Sequence, residues 1–341
     1  AMSALAVLWF FLIFVLIAGY FVLDGFDLGV GVLYRALAKT DAERALVRRS
    51  IGPVWDGNEV WLLTAGGALF AAFPAAYATT FSGFYLAVML VLFGLIVRAV
   101  SLEFGAHDPK WGRVWDACFT VGSFLPALLL GVALGNVIAG VPLAANGDYA
   151  GVPLLGLLSP FTLVVGALGF AMCMAAGAAW VALKAERASA VHERAEKQRR
   201  VWHIVALALF AVATVLAFAV VKPQFAPGML GAGVIFAIAF VACIAVSIVQ
   251  AKKGNDLAAF VLQSIAAVCL VALAAVSLFP NLVVATPGSV GESITLMNAA
   301  SSDTSLAWMT GIACIGVPLV LVYHVIAYRV FSGRIAEEDV A

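Results

Sequence analysis

The stretch LAVLWFFLIFVLIAGYFVLDGFDLGVG, residues 5–31, decides the fold. From Leu5 to Leu23 it carries no charge, and Tyr20 has its one side-chain hydroxyl. A helix crosses the hydrocarbon of a bilayer with about 20 such residues. Asp24 and Asp27 follow among Gly19, Gly25, Gly29 and Gly31. Their i, i+3 spacing puts both carboxylates on one helix face. The chain stays apolar past them until Arg35, so the first helix can run on with both aspartates inside it.

The rest of the chain repeats this character. Of 341 residues, 64% are hydrophobic and 11% are charged, against about 25% charged in soluble domains. The reading is an all-α polytopic membrane protein forming a single integral membrane domain over residues 1–341. Zero formal net charge leaves no basic surface for nucleic acid. Cys118, Cys173, Cys243, Cys269 and Cys314 sit in apolar runs without C-x-x-C spacing, so they read as packing residues. No Lys or Arg precedes Arg35, so the first run is expected to remain as an anchor and not to be a cleaved leader.

Nine spans are expected, at about 5–24, 54–74, 78–101, 115–140, 157–183, 202–221, 229–249, 257–280 and 305–328. Eighteen of the nineteen Lys and Arg residues then fall on alternate connections, Arg98 counted among them, and Lys222 stands alone on the other side. By the positive-inside rule the N-terminus lies outside and the C-terminus in the cytoplasm. Helix association in lipid depends on small residues that let backbones approach. Gly131 and Gly135 have GxxxG spacing, and Gly166, Gly169 and Gly177 line the fifth span. Packing within this chain is the favoured use of them.

Chemistry-bearing residues are few. His107 and His192 fall in connections, His203 at the boundary of span six, and His324 inside the last span. No facing pair is identifiable, so this chain is expected to ligate no haem iron and no metal. Walker loops, dinucleotide-binding glycine motifs and zinc-protease helices are absent. What remains is acidic. Asp24 and Asp27 end span one on the same side on which Asp56 and Glu59 open span two, in GPVWDGNEVWLL. Glu103 and Asp116 flank the next connection on that side. Ionisable groups at membrane depth are costly and are functional candidates by default. A plainer reading also fits: Asp56 and Glu59 as a capping box, with Asp24 and Asp27 marking the water interface or pairing with Arg35.

Several long stretches together resemble subunit II of the cytochrome bd-type quinol oxidases. They are DGFDLGVG (24–31), RRSIGPVWDGNEVWLLTAGGALFAAFP (48–74), YATTFSGFYL (77–86), GSFLPALLLGVALGN (122–136), TLMNAASSDTSLAWM (295–309) and the C-terminal GRIAEEDV (333–340). The resemblance implies nine transmembrane helices arranged as two four-helix bundles plus a peripheral helix. It implies a heterodimer with a haem-bearing subunit I, in a bacterial or archaeal cytoplasmic membrane. That subunit holds haem b and haem d, oxidises quinol at the outer side and reduces dioxygen to water. The proton path of the family runs from the cytoplasm along the subunit interface through the aspartate of the WDGN motif, here Asp56. Asp24, Asp27 and Glu59 are expected to line the same polar mouth. Some members hold a structural quinone in this subunit, and some complexes carry small accessory subunits; the resemblance leaves both open here. The rivals are a stand-alone proton-coupled transporter and a purely structural scaffold.

The orientation is testable. Single cysteines at Asn146 and at Glu196, in a cysteine-free background, should differ towards an impermeant thiol reagent added to right-side-out spheroplasts. Asn146 should label and Glu196 should not; the reverse pattern would overturn the topology.

Overall fold

The computed structural model describes residues 3–105, 107–336 and 338, so Glu337, Asp339 and Val340 of the C-terminal motif lie outside the described residues. The chain runs through α1 (Ala4–Leu37), α2 (Asp41–Ile51), α3 (Trp55–Ala72), α4 (Pro74–Gly83), α5 (Tyr85–Phe104) and α6 (Gly112–Ala139). It continues with α7 (Pro160–Lys184), α8 (Ala190–Leu216), α9 (Met229–Lys252), α10 (Asp256–Leu278), α11 (Leu296–Ala299) and α12 (Asp303–Val330). A short antiparallel pair, β1 (Asn281–Val283) and β2 (Ile294–Thr295), sits in the loop before α11.

Eight of the described helices are long and apolar enough to cross a membrane. The expected second span corresponds to α3, which is not one of the eight. Its first turns hold Asp56, Asn58 and Glu59, and its 18 residues leave little to offset them. The expected third span is also divided, with α4 ending at Gly83 and α5 starting at Tyr85. Tyr149, from the loop after α6, packs there: a Cβ on Gly83 would lie 2.6 Å from the Tyr149 Cβ.

The first helix does continue past its aspartates, as the apolar run to Arg35 suggested, and ends at Leu37. It is the central element, packed against α3, α6, α7 and α10. Close backbone approach makes this possible. A Cβ on Gly29 would fall 1.9 Å from the Cys173 carbonyl oxygen, and one on Gly177 would fall 2.4 Å from the Gly29 carbonyl carbon. The GxxxG pair is likewise used inside the chain. A Cβ on Gly131 would meet the Gly166 Cα at 2.9 Å, and one on Gly135 the Thr162 Cα at 3.0 Å, so α6 and α7 cross on small residues.

The end that carries most of the basic residues is closed by polar clamps. On α2, Thr40 and Glu43 form a capping box, while Leu46, Val47 and Ile51 face the core. The Glu43 carboxylate also takes an ion pair from Arg194 of α8, whose Nε donates to the Leu37 carbonyl at 2.8 Å. Burial alone would raise the Glu43 pKa, but the Arg194 bond and the backbone N–H donors of Lys39 and Thr40 outweigh it and hold the pKa below its ordinary value. The stability this adds is present above the ordinary carboxylate range and is lost as pH falls through the depressed value. Beyond α12, Arg334 donates to the Ala182 carbonyl at 3.0 Å and to Asp256 at 2.7 Å, tying the C-terminal segment to α7 and α10.

Gly29→Ala should therefore be severe, because backbone must move to admit one methyl group. The expected loss is about 3 kcal/mol, the upper part of the overpacking range. Gly231→Ala, with nothing within 4 Å of the added carbon, should be near neutral. Thermal unfolding of both variants in detergent, as the assembled membrane complex, checks this; equal midpoints would contradict the packing described.

Candidate functional site

The acids of the sequence are sorted by burial around one arginine. Arg98, counted above among the cations of a connection, lies inside α5 and is fully buried. Its Nη2 donates to Asp24 Oδ1 at 2.8 Å and its Nη1 to Asp24 Oδ2 at 3.2 Å. This two-pronged geometry is the strong form of the arginine–carboxylate pair. The same Nη1 reaches Glu59 Oε2 at 3.5 Å. The Trp55 ring lies against the guanidinium, 5.8 Å from Cζ to the ring centroid. Asp24 is fully buried too, so it neither marks the water interface nor pairs with Arg35. The Arg35 guanidinium instead donates to the Arg113 carbonyl at 3.2 Å.

Asp27 is also fully buried and is held by a different partner. Asn58 donates from Nδ2 to Asp27 Oδ2 at 2.7 Å and accepts from the Tyr328 hydroxyl at 2.9 Å. The chain Tyr328–Asn58–Asp27 links α12, α3 and α1. Three atoms of this region stay without a hydrogen-bond partner although buried: Tyr20 OH, Asp27 Oδ1 and Arg98 Nε. Buried polar atoms are paired in the large majority of cases, by protein or by ordered water. Three together mark a pocket of polarity that ordered water would satisfy.

Asp56 and Glu59 differ from the buried pair and from each other. Asp56 is exposed, and its Oδ1 accepts from the Gly57 N–H at 2.8 Å. No capping box forms, since Val54 is the N-cap and makes no side-chain bond. The Glu59 side chain is 24% exposed, with one edge toward Arg98. The structure thus brings Asp24, Asp27 and Glu59 together through Arg98 and Asn58, and leaves Asp56 on the outer surface of α3. Of the flanking acids, Glu103 is exposed. Asp116 is buried and paired with Arg48 at 2.7 Å.

The histidines are occupied. Trp61 Nε1–H donates to His324 Nε2 at 3.3 Å, so His324 Nδ1 is the donor to the Val320 carbonyl at 2.8 Å. His203 is fully buried, with Nε2 2.7 Å from Gln263 Oε1. His192 lies 3.2 Å from Asp256. His192, Glu196 and Asp256 are close enough together to hold a cation. Yet Arg199 and Arg334 both bond to Asp256 and occupy the charge that a metal would need.

The comparisons with known proteins agree with this helical architecture and extend it. The family described as cytochrome bd terminal oxidase subunit II matches residues 5–331. Cytochrome bd-I ubiquinol oxidase subunit 2 of Escherichia coli K12 is 34% identical, over 99% of this chain and 97% of that protein. Cytochrome bd ubiquinol oxidase subunit 2 of Bacillus subtilis 168 is 33% identical, over 99% of each. Among solved structures, a chain of the bd oxidase from Geobacillus thermodenitrificans superposes with a TM-score of 0.79. That alignment covers 96% of this chain and 99% of the other at 14% identity, which speaks for the fold alone. The chain belongs to the cytochrome bd terminal oxidase subunit II family.

Proposed function

We propose that this chain works in a quinol oxidase complex as the subunit without haem ligands. In this reading it holds a haem-bearing subunit I in shape and conducts protons toward it from the cytoplasmic side. The haems b and d of that partner would carry electrons from quinol to dioxygen. The residues of this chain hold the interface and move protons.

The single observation that carries the reading is the sorting of the acids. Asp24 is committed to Arg98 in a buried two-pronged pair, so its role is to position. Asp56 is exposed on α3 with one bond, to the Gly57 N–H, and in this reading is the proton entrance. Glu59, one turn further along α3, is partly exposed and touches Arg98. A proton taken up at Asp56 passes to Glu59, and the unpaired polar atoms beside Asp27 offer water the contacts it needs to continue inward. Around these acids the outer surface is apolar: Val60, Leu63 and Phe70 of α3 and Phe93 and Ile96 of α5 are exposed. Exposed apolar residues on the helix that carries an exposed carboxylate suit a subunit contact that encloses a proton entrance.

A scaffold-only reading draws on the same Asp24–Arg98 pair, since a locked ion pair needs no function beyond shape. Asp56→Asn separates the two. The amide keeps the oxygen that accepts from Gly57 but cannot change charge state. A scaffold loses at most about 1 kcal/mol, because the amide keeps the bond to Gly57 and gives up only the favourable negative charge in the first helical turn. A proton path slows by at least about tenfold, equivalent to about 1.4 kcal/mol of added barrier. The measurement is quinol-driven oxygen uptake per haem d in an assembled complex with a full haem spectrum. Wild-type turnover in that complex would remove Asp56 from the mechanism. A colourless chain purified without a haem partner would instead favour a stand-alone transporter.

A further inference from the structure

A second polar feature lies away from the acids, where α8, α9 and the start of α10 converge at the basic end of the helices. A cleft of about 250 Å³ is lined there by Glu196, Arg199, Arg200, His203, Lys252 and Gly254 with Ile248 and Ala251. Its charges do not balance. Arg199 is 2% exposed, and its guanidinium is spent on Asp256 at 3.2 Å and Glu196 at 3.4 Å. Arg200 and Lys252 are exposed, and among the described residues their side chains have no hydrogen-bond or ion-pair partner. The cleft therefore presents two uncompensated cations over a buried wall of Arg199 and His203. The His203 ring adds an unmet polar atom. Gln263 Nε2 donates to the Met172 carbonyl at 3.2 Å, so its Oε1 takes the His203 Nε2–H, and buried Nδ1 is left without a partner.

A second basic cleft ties three of its cations to partners within the chain. It is lined by Arg35, Lys39, Arg44, Arg113 and Asp116. There Arg35 bonds the Arg113 carbonyl, Lys39 bonds the Arg35 carbonyl, and Arg44 pairs with Asp41.

What lies below the α8–α9 cleft says which anion it suits. Val201 and Ile204 of α8 and Val246 and Val249 of α9 are exposed apolar residues within a turn or two of the charged ones. These two helices are otherwise little buried by the rest of the chain. A molecule with a phosphate at the level of Arg200 and Lys252 and acyl chains along this strip satisfies both halves at once. Basic pockets between membrane helices bind anionic headgroups by this arrangement. We propose that the α8–α9–α10 cleft is a binding site for the phosphodiester headgroup of an anionic phospholipid, held by Arg200 and Lys252 against the Arg199–His203 wall.

The test uses the whole oxidase complex, delipidated in a neutral detergent. Thermal midpoints are recorded with added phosphatidylglycerol, phosphatidylcholine or inorganic phosphate, for the wild type and for Arg200→Gln/Lys252→Gln. Both substituted side chains are exposed and unpaired, so the variant should assemble, and its haem spectrum checks that it has. The expected result is a midpoint rise with phosphatidylglycerol in the wild type, needing at least about tenfold more lipid in the variant, and no rise with phosphate. A rise with inorganic phosphate alone would assign the cleft to a free anion and overturn the lipid assignment. Equal response of variant and wild type, or of the two lipids, would overturn the site.

Discussion

The arrangement rests on one buried ion pair. Arg98 and Asp24 have no solvent exposure and meet through two parallel bonds. Neither charge could stand there alone. Removing one partner of such a pair costs about 3–5 kcal/mol, because the other is left charged in a medium that cannot solvate it. The pair joins α5 to α1, the helix on which α3, α6, α7 and α10 pack. It also sets the field in which the other acids sit. Glu59 borrows the free edge of the same guanidinium, and Asp27, beside it, relies on Asn58. Fixing Asp24 in this way leaves Asp56 exposed and Glu59 partly exposed, the two acids of the group that reach the surface.

Much of the fold was legible from hydropathy and small-residue spacing, because lipid leaves a chain few choices. The continuation of α1 to Leu37 followed from the absence of charge before Arg35, and the GxxxG glycines pack where their spacing indicated. Element boundaries around α3, α4 and α5 were less legible. The α3 sequence carries a polar first turn, and the break near Phe84 involves Tyr149, which is distant in sequence. The acids were found as a group but not as a network. Arg98 was the missing member, read as a connection charge because it stands near a helix end. Its signal was present in GLIVRAV (94–100), an arginine with apolar neighbours on both sides. An arginine placed so needs a buried partner, and the aspartates of α1 were the available ones. Tyr328 as a partner of Asn58 had no such signal, since the two lie 270 residues apart.

The basic end is organised twice over by the same rule, that a buried carboxylate collects cations. Asp256 gathers Arg199, Arg334 and His192, as Asp24 gathers Arg98. The difference lies in what remains. Near Asp24 the surplus is acidic and faces the apolar surface of α3 and α5. Near Asp256 the surplus is basic and opens between α8 and α9. One end of one chain thereby carries an acidic group and, apart from it, a basic one.

The dependence on the Arg98–Asp24 pair is open to direct measurement through a double-mutant cycle on the assembled complex. Asp24→Leu, Arg98→Met and the two together would be compared by the yield of haem-containing complex and by thermal midpoint in detergent. Each single change strands a charge and should lose most of the complex. The double change removes both charges and should recover yield well above either single variant, with a coupling of at least about 1.4 kcal/mol, a factor of ten. A double variant no more stable than the worse single one would show that the two residues act independently, and the account of the site built on their pairing would fail.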